Sequence, residues 1–148
     1  KISWKYFVKS AKDKVSIEHV YPQTAEANCW QEGFQDISNE RKKYYNGSLG
    51  NLLPLSSSVN SSLQNDCFED KKKVKEDEKG NVIRSGYVNG SYSEQEVSAE
   101  PQWGPDEIQK RGLKLLSFME SRWRINLGSD EDKKDLLHLL DNEKITEV

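Results

Sequence analysis

Ser16-Ile17-Glu18-His19-Val20-Tyr21-Pro22-Gln23 places an acid and an imidazole at the end of a β-branched run, directly before a turn. Residues 15–20 predict a strand, and Pro22 predicts its end because proline cannot donate to a sheet ladder. Adjacent strand residues point to opposite sides, so Glu18 and His19 share a site only where the strand ends or bends. The segment therefore predicts a polar site at a strand end.

Two asparagines follow this segment at informative distances. Asn51 lies in Leu49-Gly50-Asn51-Leu52, and Asn60 comes nine positions later. Residues 51–55 predict a second strand, and the serines at 56–58 are N-cap candidates for a helix. Asn60 would lie beside the apolar stripe of that helix, which we expect to comprise Val59, Leu63, Cys67 and Val74. Two strands and a helix would thus bring together an acid, an imidazole and two amides.

The order Glu-His-x-x-Pro, Leu-Gly-Asn-Leu and a further Asn resembles the HNH (ββα-metal) nucleases. More narrowly, the chain resembles the C-terminal HNH-type domain of GmrSD-like type IV restriction enzymes and related phage-defence proteins. The resemblance extends from about Ser16 to Trp123. It is strengthened by matching positions at Asn60, Asn65, Phe68, Lys71, Trp103, Arg111 and Trp123.

The resemblance implies an α+β fold with a ββα-metal (His-Me finger, HNH) core and added flanking helices. We expect residues 1–148 to form one nuclease domain. Since the chain begins with lysine, we also expect it to be the C-terminal fragment of a larger protein. In the family, a regulatory, nucleotide-hydrolysing domain or subunit commonly precedes this one. The implied function is metal-dependent DNA cleavage or nicking in a modification-dependent restriction or phage-defence system.

Each candidate residue has a chemical role to fill in phosphodiester hydrolysis. His19 is the predicted general base, because an imidazole can take a proton from water at neutral pH. Glu18 and Asn60 are predicted to hold Mg²⁺ or Mn²⁺ through oxygen, since Mg²⁺ requires only one or two protein ligands. Asn51 is predicted to hold the backbone of the His19 loop and so to aim the imidazole.

Two positions depart from the common HNH pattern. Asn60 stands where many of these enzymes have histidine, and Glu18 where they often have aspartate. Oxygen ligands suit Mg²⁺ or Mn²⁺ and make a tight zinc site unfavourable.

Basic side chains are the candidates for binding substrate phosphate. Lys71 and Arg111 match basic positions of the family, and Lys72 and Lys73 could extend a phosphate-facing patch. Because acidic residues flank this lysine run, a solvated helix face is the competing interpretation.

Patterns elsewhere predict further elements around this core. An opening helix is predicted to place Trp4, Phe7, Val8 and Ala11 on one face, followed by core anchors at Trp30 and Phe34 and a short helix at 38–45. A hairpin is predicted through Val82-Ile83 and Tyr87-Val88. A helix that begins at Gly104-Pro105 is expected to bury Ile108, Leu116, Met119 and Trp123, and a last helix from Ser129 is expected to bury Leu136, Leu137 and Leu140. His138 is expected to be a surface or flanking residue.

Composition limits the class of protein. A formal net charge of −3 argues against an indiscriminate nucleic-acid binder, though a locally basic site is compatible with it. The chain shows no long apolar run and no signal-peptide pattern, so we expect no membrane association and a cytoplasmic location. Cys29 and Cys67 have no CxxC partner, and a disulfide is undecidable from sequence. For a cytoplasmic protein we expect reduced thiols.

Three other interpretations stay open at this level. The domain could be an inactive HNH-like module that only binds DNA or a protein, or a nuclease acting on RNA or single strands. It could also be an interaction domain in which the conspicuous residues are structural.

Overall fold

The computed structural model describes residues 15–140, and the opening helix predicted around Trp4 lies outside them. Within this range the structure has seven helices and four strands. They are β1 (Val15–His19), α1 (Asn28–Gly33), α2 (Asn39–Gly47), β2 (Leu52–Ser56), α3 (Ser57–Leu63), α4 (Phe68–Lys72), β3 (Lys75–Glu76), β4 (Val82–Arg84), α5 (Tyr92–Ser98), α6 (Pro105–Trp123) and α7 (Asp130–Leu136). The helices surround two small sheets, so the fold is α+β.

The first sheet is an antiparallel pair of β1 and β2. Val15 lies opposite Ser56, and His19 lies opposite Leu52, so both predicted strands are confirmed. β1 ends at His19, after which the amide of Val20 donates to the carbonyl of Asn51 at 3.0 Å. The chain therefore stays attached to the start of β2 while it turns at Pro22, and this fixes the loop that follows His19.

Helix α3 starts immediately after β2 and contacts both strands. The Ser56 side chain caps it by accepting from the amide of Val59. The predicted continuation of this helix to Val74 is wrong. Gln64 has a φ of +46°, which ends the helical repeat after Leu63, and α4 begins only at Phe68. The apolar spacing continued across this break, so periodicity alone did not reveal it.

The second sheet pairs β3 with β4 and differs from the predicted hairpin. Lys75 pairs with Arg84, whereas Tyr87–Asn89 forms a short 3-10 turn. Gly86 between them has a φ of +68°, and a Cβ there would overlap the Lys73 backbone. Helix α5, which the sequence analysis did not predict, follows with a capping box between Ser91 and Glu94.

The long helix α6 begins as predicted at Gly104-Pro105, with Glu107 accepting from the Gly104 amide at 2.9 Å. A Cβ on Gly50 would overlap the backbone of Ile108, so the glycine permits close approach of the 3-10 turn at Leu49–Asn51 to α6. Trp123 was predicted to be in the core but is 58% exposed. It lies in the last turn of α6, beyond the part that contacts the core.

Helix α7 starts after Ser129 as predicted, but its buried residues differ from the prediction. Leu137 and Leu139 are buried, whereas Leu136 is 55% exposed. The helix ends at Leu136, and His138 has a φ of +56°, so the predicted helical periodicity no longer applies there.

An aromatic group and a disulfide fill the core beside the loop after β1. Tyr21 stacks on Phe34 with ring centroids 3.9 Å apart, and Trp30 meets Tyr21 edge-on, so the predicted anchors Trp30 and Phe34 are confirmed. Cys29 and Cys67 form a disulfide across 38 positions of sequence. The expectation of reduced thiols is therefore wrong, because the fold brings together two cysteines that are distant in sequence. No helix within residues 15–140 is long and apolar enough to span a membrane.

Candidate functional site

His19, half-buried at the end of β1, is held through one ring nitrogen. Its Nδ1 lies 3.0 Å from the carbonyl oxygen of Asn46 at the end of α2. A carbonyl can only accept, so this contact assigns the ring proton to Nδ1 and leaves the lone pair on Nε2. The side-chain nitrogen of Gln23 approaches Nε2 at 3.5 Å, a long contact at the exposed edge of the ring. The ring is thus oriented with its basic nitrogen available.

Asn51 is fully buried and fixes the loop on which His19 stands. Its Oδ1 accepts from the Tyr21 amide at 2.8 Å and from Trp103 Nε1 at 3.1 Å. Its Nδ2 donates to the Tyr21 carbonyl at 2.9 Å and to the Asn46 carbonyl at 3.0 Å. The Asn46 carbonyl therefore receives both the His19 ring and the Asn51 amide. We name Asn46, Asn51 and Trp103 the amide cluster.

Arg111 supports this arrangement from α6. Its guanidinium donates to the carbonyls of Gly50 at 2.7 Å and Leu52 at 3.0 Å, and the residue is 9% exposed. Burial lowers the pKa of the guanidinium, and nearby Glu96 opposes that shift. This position is at odds with the predicted contact to substrate phosphate, because the guanidinium is turned inward onto the backbone on either side of Asn51.

Glu18 points away from His19 and into the interior, where it has two partners. Lys71 Nζ donates to Glu18 Oε1 at 2.7 Å, and the Tyr87 hydroxyl donates to the same oxygen at 2.9 Å. Burial, then the charge of Glu18, raises the pKa of Tyr87 well above its ordinary value, so the hydroxyl remains a donor. Burial lowers the pKa of Lys71, against the opposing effect of Glu18. We name Glu18, Lys71 and Tyr87 the charged cluster.

Lys71 has no exposed side-chain surface, and this conflicts with its predicted role as a phosphate ligand. Besides Glu18, its ammonium donates to the carbonyls of His19 and Val20, each at 3.1 Å. The other predicted phosphate ligands lie nearer the surface. Lys72 is bonded to Glu69 and to the Glu100 carbonyl, and Lys73 is 67% exposed, 3.8 Å from Glu69.

Asn60 lies on α3, against β1. Its Nδ2 donates to Ser16 Oγ and to the Ile17 carbonyl, both at 2.9 Å. The carbonyl acceptor fixes the orientation of the amide, so Oδ1 is the atom turned away from the strand. Among the residues that the structure describes, none donates to this oxygen.

The side-chain oxygens of Glu18 and Asn60 that accept no hydrogen bond within the described part of the chain are the atoms to consider as ligands of a cation. Glu18 Oε1 is occupied by Lys71 and Tyr87, whereas Oε2 accepts no hydrogen bond from residues 15–140. Asn60 Oδ1 likewise accepts no hydrogen bond from these residues. No group of three His, Cys, Asp or Glu side chains in this range could hold a metal ion. Carboxylate and amide oxygens are ligand types that suit Mg²⁺ or Mn²⁺, whereas tetrahedral zinc centres are built mainly from Cys and His.

Three residues that contact the candidate residues were not predicted from the sequence. Asn46 was given no site role, although its carbonyl orients the imidazole. Tyr87 was placed in a strand, and Gln23 was given no role. The role of Asn46 uses its main chain, which carries no residue-specific signal. Tyr87 reaches Glu18 across 69 positions of sequence.

Two surface grooves lie apart from His19. One, of about 460 Å³, runs between α5 and α6 past Trp103 and Arg111. The other, of about 580 Å³, lies beside the disulfide and the start of α6. His19 lines neither groove.

Comparison with known families gives a match over most of the chain. The family described as GmrSD restriction endonucleases, C-terminal domain, matches residues 3–118. Neither the curated proteins nor the solved structures provide a match to the chain.

Proposed function

The chain belongs to the family of C-terminal domains of GmrSD restriction endonucleases, and from this premise we propose that it cleaves or nicks DNA by water attack with His19 as general base. The proposal assigns it the effector role in a modification-dependent restriction or phage-defence system. The observation that carries the proposal is the contact of His19 Nδ1 with the Asn46 carbonyl, which leaves Nε2 able to take a proton.

The surrounding residues would keep this base in place. Asn51 holds Tyr21 on both its amide and its carbonyl, so the loop after His19 has little freedom to rotate. It also shares the Asn46 carbonyl with the imidazole. A base held in one orientation loses less entropy on reaching the reactive geometry. Asn51 would therefore act as a positioning residue for His19.

A ββα-metal centre formed by β1, β2 and α3 is the second part of the proposal. Glu18 Oε2 and Asn60 Oδ1 would hold Mg²⁺ or Mn²⁺, and the bound ion would supply charge stabilisation for the phosphate and the leaving oxygen. Glu18 shares its charge with Lys71, so the ion would bind loosely and mainly with substrate present. The proposal predicts a requirement for added divalent metal.

Partners and location are also proposals. The substrate would be DNA, positioned by phosphate contacts from exposed Lys73 and from Lys72 once freed from Glu69. A preceding regulatory, nucleotide-hydrolysing domain or subunit would supply target sensing. A cytoplasmic location would expose the Cys29–Cys67 disulfide to reducing thiols.

A supercoiled-plasmid assay tests the function, because the chain's two histidines provide a matched pair of variants. Wild type, His19→Ala, His138→Ala and Asn60→Ala would be incubated with Mg²⁺, Mn²⁺ or EDTA after circular dichroism verifies folding. We expect metal-dependent open-circle DNA with wild type and His138→Ala. We expect loss of at least about a hundredfold in rate with His19→Ala.

Each other outcome has a distinct meaning. Equal cleavage by wild type and His19→Ala would contradict the assigned site. Cleavage confined to RNA or to single-stranded DNA in a parallel panel would correct the substrate class. Binding of DNA without cleavage, with and without the preceding domain, would indicate an inactive module.

A further inference from the structure

Lys71 occupies an unusual position directly behind the strand end that carries His19. Its ammonium has no exposed surface and donates to Glu18 Oε1, to the His19 carbonyl and to the Val20 carbonyl. An ammonium group has three N–H donors, so all of its hydrogen-bonding capacity is used internally. Lys71 therefore has no donor left for a substrate phosphate.

A buried ion pair such as this one is weak evidence of a gain in stability. Removing two charges from water costs several kcal/mol per ion, and well-packed apolar residues often replace such a pair at no loss. The Glu18–Lys71 pair instead fixes the orientation of the backbone after β1. Carbonyls of two successive residues accept from a single nitrogen at 3.1 Å, which fixes the peptide planes on both sides of the Val20 Cα. The Val20 amide is in turn bonded to the Asn51 carbonyl.

Glu18 and Tyr87 hold the ammonium in this position. The carboxylate compensates its charge at 2.7 Å, and the Tyr87 hydroxyl, itself fully buried, bonds the same oxygen at 2.9 Å. Lys71 comes from α4 and Tyr87 from the 3-10 turn at Tyr87–Asn89, so two separate elements converge on the end of β1. The backbone of His19 is thereby held from the interior, while its ring is held by Asn46 on the other side.

We propose that Lys71, with Glu18 and Tyr87, is a positioning device for the general base: it fixes the His19 backbone so that the imidazole keeps Nδ1 on the Asn46 carbonyl and Nε2 toward substrate. This inference rests on the proposed nuclease function for its catalytic meaning. Its structural content, the dependence of the His19 ring on Lys71 and Tyr87, can be measured without any activity.

The test uses nitrogen-labelled histidine, since the chain has only His19 and His138. Ring-nitrogen resonances at one fixed pH would be recorded for wild type, Lys71→Met and Tyr87→Phe, with His138→Gln for assignment. Lys133→Met is the matched control, because Lys133 is another lysine with little exposed surface, paired with Glu120 at 2.9 Å outside the charged cluster. Tyr87→Phe keeps the ring volume and serves where Lys71→Met fails to fold.

We expect the His19 ring signals of Lys71→Met and Tyr87→Phe to move from the Nδ1-protonated form toward an average of both tautomers. The His138 signals should stay in place, and Lys133→Met should change neither residue. In the plasmid assay kcat should fall about ten- to a hundredfold, as a misplacement near 1 Å produces, while KM stays within about twofold.

Two results separate this inference from the proposed function. Unchanged His19 signals in both folded variants would overturn the positioning role, whether or not the protein cleaves DNA. If the His19 signals shift in the two variants but the unaltered protein cleaves no DNA, the positioning role is supported and the proposed nuclease function is contradicted.

Discussion

The amide cluster and the charged cluster hold the same loop by different physical means. The amide cluster is neutral, and Asn51 satisfies its side chain completely with four hydrogen bonds, two at each terminal atom. The charged cluster depends on compensation between Glu18 and Lys71, both of which are buried. A neutral cluster loses single bonds when it is altered, whereas a charged one leaves an unpaired ion behind.

The two clusters should respond differently to the substitution of a single residue. Losing one member of the amide cluster leaves neutral polar groups without a partner. Losing Lys71 leaves a carboxylate in the interior with the Tyr87 hydroxyl as its one remaining partner among residues 15–140. The charged cluster should thus be the more sensitive to single substitutions and the more tolerant of paired ones.

The largest expected effect comes from Lys71→Met. We expect a loss of about 3–5 kcal/mol in the free energy of unfolding, because Glu18 is left buried without compensation. The double variant Glu18→Gln/Lys71→Met should recover more than half of this loss, since no charge then remains to be buried. Urea denaturation followed by circular dichroism measures both.

The paired variant is the decisive control. A double variant as unstable as Lys71→Met would show that the lost bonds to the His19 and Val20 carbonyls dominate, and the contrast between the clusters would fail.

An intermediate effect is expected from Asn51→Ala. Removing the side chain leaves Tyr21 and Trp103 without buried partners and should cost about 2–4 kcal/mol in urea denaturation. It should also lower plasmid cleavage, because the Asn46 carbonyl that orients His19 loses its second donor.

Trp103→Phe is the matched lesser change at the same cluster. It removes one donor to Asn51 Oδ1 and should cost about 1 kcal/mol. If its cost equalled that of Asn51→Ala, aromatic packing and not the amide geometry would hold the loop.

The smallest effect concerns an ion pair outside both clusters. A hydrogen bond from Lys133, followed by one from the Leu127 amide, lowers the pKa of Glu120 below its ordinary value of 4.5. A carboxylate with a depressed folded-state pKa stabilises the protein above the unfolded value, and this contribution is lost as pH falls through the folded value. The stability difference between wild type and Glu120→Gln should therefore be present at neutral pH and disappear in acid.

Urea denaturation at neutral pH and at several values below pH 4.5 measures that difference. A difference that persisted unchanged in acid would show that Glu120 acts by packing and not by its charge.

Local patterns specified several elements correctly. The β-branched run before Pro22 specified β1, the short helix expected at 38–45 corresponds to α2, and Gly104-Pro105 began α6, because each signal acts within a few residues. The motif also brought His19, Asn51 and Asn60 to attention, although their roles remain to be measured. Predictions failed where the feature that decided the structure was not visible in the local sequence pattern. Gln64 interrupted a continuous apolar spacing, and Trp123 extended past the core.

The sequence by itself determined the α+β class, the strand that ends in Glu18 and His19, and membership of a restriction-endonuclease family. Only the tertiary structure decided the partners of these side chains. Lys71 carries the same charge whether it faces a phosphate or the interior, and its distance of 53 positions from Glu18 gives no local signal of the pair. Burial and hydrogen bonding arise from chain segments meeting in space, so they become visible only once the fold is known.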